Sequence, residues 1–225
     1  KLATLRGAKT LAFSQPEGVL AQEADAALTY QSPAANLSKL MLSYLVALEI
    51  LDQREQHPRI NNIKSALVQL PKQMHNLISE TRTTGQALAK RYANMNQVYV
   101  VGTGLLSGLA YQFTICNLLE MHWINAAMIN AGEFQHGPFE IVDKGLPMIF
   151  LLGRGDERDI AERALRFAQQ HGADTIVFDF EAMPSLHDWF APFALHLPLQ
   201  WFNWYLGIER NHPISTRRYM GKVDF

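Results

Sequence analysis

From Gln97 onward the chain alternates short apolar runs with helical segments, and this alternation is what most restricts its fold. Val98 to Val101 reads as a β-branched strand, Gly102-Thr103-Gly104 as a tight turn, and Leu105 to Glu120 as a helix with small residues at Ser107, Gly108 and Ala110. A strand over Pro147 to Leu152, a helix over Glu157 to Gln170 and a strand over Thr175 to Phe180 follow, each flanked by Gly or Asp. Strands that alternate with helices pair in parallel, since each crossover brings the chain back to the same end of the sheet. The expected class is therefore α/β, with a parallel sheet covered on both faces. Phe190 to Ile208 reads as a last apolar helix, irregular at Pro198, and Asn211 to Phe225 as a polar tail.

The first part of the chain is an αβ ending without a beginning. Thr10 to Ser14 reads as a buried strand, Gln15 to Asp25 as a loop and short helix, and Ala26 to Tyr30 as a second strand. Leu37, Leu40, Met41, Tyr44, Leu45, Leu48 and Leu51 recur at helical spacing and predict a long buried helix that ends before His57-Pro58. Ile63 to Leu70, then Pro71, then Met74 to Tyr92 read as further helices joining two halves. A length of 225 residues with 48% hydrophobic content suits one large or two small domains.

Charge narrows the function. Twenty basic and 21 acidic residues give a formal net charge of -1 with no long single-sign run, so no broad footprint for nucleic acid or an anionic membrane is expected, and any phosphate site must be local. The run from Leu40 to Leu51 is interrupted by Ser43 and Glu49 and is too short to span a bilayer. Cys116 is the only cysteine, which excludes an intrachain disulfide and fits a cytoplasmic setting. Neither His-x-x-x-His nor a cysteine pair offers metal-ligand spacing, and no G-x-S-x-G elbow offers a serine nucleophile.

Glu120 and His136, in LLEMHWINAAMINAGEFQHGPFE, supply the carboxylate and imidazole that proton transfer at a sugar carbon needs. On one continuous helix they would lie ~24 Å apart, so a turn or a second copy of the chain must bring them to one substrate. Glu120 closes its helix at the negative end of the macrodipole, which disfavours a second negative charge and suits a proton acceptor. Gly137-Pro138 fixes the backbone after His136 and can hold the imidazole at a cleft edge. The Gly102-Thr103-Gly104 turn leaves N–H groups free at a helix start, suited to a phosphate or sugar oxygen, with Ser107 close behind. Its spacing departs from a dinucleotide fingerprint, and no cofactor is expected. Arg217 and Arg218 can act as bidentate donors to a phosphate or a substrate carboxylate.

The run Gly132-Glu133-Phe134-Gln135-His136-Gly137-Pro138 resembles the G-E-x-x-H-G-P motif in the second domain of the two-domain sugar isomerase (SIS) proteins. These include the isomerase half of glucosamine 6-phosphate synthase and the deglycases that split phosphorylated Amadori compounds. GEFQHGPFE and the ending HPISTRRYMGKVDF are most similar to the deglycases, whereas the synthases end on P-R-N-L-A-K-S-V-T.

The resemblance implies three-layer αβα domains in tandem, the first truncated in this sequence and lacking its Ser/Thr-rich phosphate loop. Residues 1–56 would be the end of the first domain, 57–96 a helical linker, 97–212 the second domain and 213–225 a tail near the active site. It also implies a homodimer in which His136 reaches the partner's site, with Glu120 as base and Glu133 as an orienting hydrogen-bond acceptor. Lys222 falls near a ring-opening lysine of the synthases, although the interval from Pro213 is longer here. The expected activity is conversion of a 6-phosphorylated fructosamine or glucosamine conjugate of an amino acid to hexose 6-phosphate and free amino acid. An aldose-ketose isomerase, a synthase-like half and a noncatalytic sugar-phosphate sensor are the alternatives.

Overall fold

The computed structural model describes residues 2–56 and 58–224. His57, where the linker is expected to begin, and Phe225, the end of the expected tail, lie outside them. The chain divides into two compact units, Lys1–Leu70 and Pro71–Phe225.

In the first unit, α1 (Leu2–Leu5) precedes β1 (Leu11–Ser14), α2 (Val19–Glu23), β2 (Ala26–Thr29) and α3 (Ala35–Glu55). The two strands pair in parallel from Leu11 opposite Ala26 to Ser14 opposite Thr29, with α2 as the crossover. Asp25 fixes where they start by accepting bonds from the Thr10 amide at 2.9 Å and the Thr10 hydroxyl at 2.8 Å. The stripe on α3, expected to be buried, is covered only in part. Leu48 is its one buried residue, and Leu37, Leu40, Met41, Tyr44, Leu45 and Leu51 are half-buried, since two short strands offer less apolar surface than the stripe presents. Lys64 clamps the start of α4 (Pro58–Arg91) to α3 through Glu49 at 2.6 Å and Asp52 at 2.7 Å. Two helices were expected around Pro71, but α4 runs through it as one, forfeiting the single backbone bond that proline cannot donate.

The second unit holds a four-stranded sheet of β3 (Gln97–Gly102), β4 (Asn125–Asn130), β5 (Pro147–Leu152) and β6 (Asp174–Asp179). Its order is β4-β3-β5-β6 and every pair is parallel. Met148 to Leu152 of β5 are all buried, as a central strand covered on both faces requires. Ala161, Ala164 and Ala168 of α6 (Arg158–Gln170) lie against Val101, Phe150 and Leu152 on one face. On the other, α7 (Ala191–Glu209) brings Phe202 to Phe113 and Phe178, with ring centroids 6.2 and 6.5 Å apart. Gly85 of α4 lets that helix approach α7 closely, because a Cβ there would stand 2.8 Å from the Phe202 nitrogen. No described helix is long and apolar enough to cross a membrane.

The helix expected over Leu105 to Glu120 changes form along its length. A 3-10 turn at Gly104–Leu106 leads into α5 (Ser107–Gln112), and Phe113–Met121 then winds as a nine-residue π-helix. Gln112 donates its amide to Asn117 Oδ1 at 3.0 Å, a pair five residues apart that the wider winding brings onto one face. The π-helix closes with the His122 N–H on the Asn117 carbonyl.

Two histidines make the second unit sensitive to acid. Burial pushes His122 down to about 4, against its bonds to the Asn203 side chain and carbonyl, and burial alone pushes His196 down to about 4. Between the unfolded value near 6.5 and 4 the unfolded chain takes up these protons first, so stability present above pH 6.5 is lost as pH falls. Unfolding free energies from urea titrations followed from pH 7.5 to 4.5 should therefore decline, by up to roughly 3 kcal/mol per histidine, and His196→Phe should flatten the decline. An unfolding free energy independent of pH over this range would contradict that reading.

Candidate active site

Glu120 stands at the end of the π-helix, in a cavity of about 340 Å³ lined by Leu119, Trp123, Ile124, Asn125 and residues 217–220 of the tail. Its side chain is 24% exposed, and Oε1 lies 2.6 Å from Arg217 Nη2, itself 22% exposed. A charge-assisted bond of this length sets a cation directly against the carboxylate. The expected environment, a helix end that disfavours negative charge, is thus offset by a cation from the tail.

The tail folds onto this site through its own polar groups. Arg217 Nη1 donates to the carbonyls of Ile214 at 2.7 Å and Thr216 at 3.1 Å, and Lys222 Nζ donates to the Arg217 carbonyl at 2.6 Å. Lys222 is therefore engaged with the tail backbone. The Arg218 guanidinium lies 4.3 Å from the centre of the Trp123 ring, which meets His212 edge-on at 4.5 Å. Trp123 adopts φ +55°, a left-handed conformation that costs a bulky residue roughly 1–2 kcal/mol. This strain turns its ring toward the tail at the point where the chain enters β4. A larger cavity of about 430 Å³, between the end of α7 and residues 211–215, contains only His212 as a titratable group and no carboxylate.

His136 is at the other end of β4. Glu120 precedes this six-residue strand and His136 follows it, so the strand's ~20 Å length separates them within one chain. The Glu133-to-Gly137 turn is exposed apart from buried Phe134, and the His136 amide bonds the Glu133 carbonyl at 2.9 Å. Gly137 takes φ +129°, a conformation open to glycine, and Pro138 opens the next turn at Pro138–Ile141. The motif's Gly-Pro pair is thus a backbone device that presents His136 outward.

Gly102, Thr103, Gly104 and Ser107 lie at that same C-terminal edge of the sheet, apart from Glu120. Thr103 Oγ1 donates to Asn130 Oδ1 at 3.2 Å, and the same oxygen accepts the Gly132 amide at 2.8 Å, tying β3 to the start of the motif. Gly102 allows close packing on Ala110, whose Cβ would be 2.9 Å from an added Cβ. Gly104 takes φ +54°, and Glu157 packs over it: a Cβ on Gly104 or Gly153 would each come within 2.8 Å of the Glu157 side chain. A carboxylate therefore lies against the glycine turn where the sequence suggested a phosphate. The expected set divides in two, with Glu120, Arg217, Arg218 and Lys222 at one edge of the sheet and residues 102–107, Glu133 and His136 at the other.

Residues 91–187 match the SIS domain family. Over 217 residues the chain is 36% identical to fructoselysine 6-phosphate deglycase of Escherichia coli O157:H7, an alignment covering 96% of this chain and 64% of that protein. The chain thus spans a little under two thirds of the length of that relative. Over 231 residues it is 35% identical to fructosamine deglycase FrlB of Bacillus subtilis strain 168, covering 98% of this chain and 70% of that protein. A crystal structure of a candidate phosphosugar isomerase from Salmonella typhimurium LT2 superposes with a TM-score of 0.90 at 32% identity, covering 100% of this chain and 73% of that one.

Proposed function

The chain belongs to the SIS domain family, and we propose that it carries the catalytic carboxylate of a phosphosugar-amine deglycase. The observation that supports this most directly is the cavity at Glu120, where one half-buried carboxylate pairs with Arg217, and Arg218 also lines the wall. A base beside two cations suits a substrate that is anionic and must lose a carbon-bound proton. The relatives named fructoselysine 6-phosphate deglycase and fructosamine deglycase, matched across nearly all of this chain, point to the same chemistry.

In the proposed reaction, His136 from a second copy of the chain assists opening of the sugar ring. Glu120 removes the proton at C1 of the open ketosamine, and the enol that forms is reprotonated at C2. The result is an imine between C1 and the amino-acid nitrogen. Water adds to C1 and the C1–N bond breaks, giving hexose 6-phosphate and the amino acid. A glucosamine-type conjugate uses the same transfer between C2 and C1. No electrons leave the substrate, so the sequence requires no redox group.

Incubating the full-length protein with a 6-phosphorylated fructosamine of an amino acid should release hexose 6-phosphate and amino acid in equal amounts, measured by chromatography of both products. Isomerised phosphosugar without amine release, across several such conjugates, would assign the protein to aldose-ketose isomerisation.

A further inference from the structure

We propose that Arg217 recognises the carboxylate of the departing amino acid, and that this recognition frees Glu120 to act as base. The inference rests on the deglycase reading and adds to it the means by which the substrate is selected. The guanidinium is held from behind: Nη1 is anchored by the carbonyls of Ile214 and Thr216, and the Arg217 carbonyl is bonded by Lys222. Its Nη2 edge is thereby aimed into the cavity, where Glu120 Oε1 occupies it at 2.6 Å.

The Oε1 atom engaged in that bond is not free to accept a proton from carbon. A substrate carboxylate presented to the same edge replaces one charge-assisted bond with another, so Glu120 is released at little cost. A substrate without one must leave a half-buried guanidinium unpaired, a penalty corresponding to roughly tenfold to a hundredfold in rate. Arg218 strengthens the preference for anions. Among the described residues it has no carboxylate partner, and its guanidinium rests on Trp123 at the cavity wall.

The 2.6 Å separation also selects the linkage. An edge in contact with the base reaches only a carboxylate close to the reacting carbon. In a conjugate joined through the α-nitrogen, the carboxylate is three bonds from C1. In a lysine conjugate joined through the ε-nitrogen it lies several bonds farther away. Arg217 therefore favours α-linked conjugates.

The test measures kcat/KM for amine release by the full-length protein from three 6-phosphofructosyl conjugates of lysine: the α-linked acid, its carboxamide, and the ε-linked isomer. The α-linked acid should exceed both others by about tenfold to a hundredfold. Arg217→Gln should level the acid with the carboxamide by lowering the acid's rate, and Arg217→Lys, which keeps charge but not the fork, should give an intermediate ratio. Equal rates for acid and carboxamide in the parent overturn the proposal without recourse to a variant, so a poorly folded substitution does not shelter it. Equal slowing of both by Arg217→Gln likewise overturns it. So does a variant that loses discrimination against the unphosphorylated conjugate while keeping discrimination against the carboxamide, which would assign Arg217 to the phosphate. Release without discrimination defeats this inference alone, whereas no release from any conjugate defeats the deglycase reading beneath it.

Discussion

Glu120→Gln is expected to lower turnover of a 6-phosphorylated fructosamine by at least ~10²-fold while leaving the thermal midpoint close to the parent's. Glutamine keeps the size of the side chain and an oxygen that can accept from Arg217 Nη2, but it cannot take a proton from carbon. The tail should stay in place, because the Arg218 guanidinium also rests on the Trp123 ring outside it. The loss should fall on kcat more than on KM, since the role proposed for the missing group is in the proton-transfer step. Turnover near the parental rate would place the base elsewhere, whereas a fall in activity matched by a fall in the midpoint would mark Glu120 as a structural partner of Arg217.

The parts of the fold most legible in the sequence are those where burial and composition agree. Met148 to Leu152 are apolar without interruption because β5 is central, and the expected bounds of that strand match the observed ones. Over Arg158–Gln170 the alternation of alanines with charged residues marks one buried face as clearly. By contrast β4 is an edge strand flanked by Asn125 and Asn130, with Ile129 alone buried, so its sequence lacks the signal of a core strand. The π-helix was hidden for a related reason: nine residues are too few for hydrophobic spacing to distinguish its period from that of an α-helix. Glu120, His136 and the two arginines stood out as residue types in a motif and a tail. That Arg217 meets Glu120 was not legible, because the contact depends on the path of a polar tail whose bonds go to backbone carbonyls. The same weak signal over β4 hides from the sequence that an entire strand lies between Glu120 and His136.

That separation leads to the central claim, that Glu120 of one chain works with His136 of another. With the ~20 Å length of β4 between them, two groups of one chain stand farther apart than the proposed reaction at a single sugar requires. The most direct measurement is complementation between two inactive proteins, Glu120→Gln and His136→Asn, mixed after subunit exchange has been verified by native mass spectrometry. In a homodimer with shared sites, each hybrid pairs one chain that retains His136 with one that retains Glu120, restoring one competent site of two. About half the dimers in a statistical mixture are hybrids, so roughly a quarter of parental activity should return. Activity that stays at the level of the separate variants, despite confirmed hybrids, would contradict the claim and place the site within one chain.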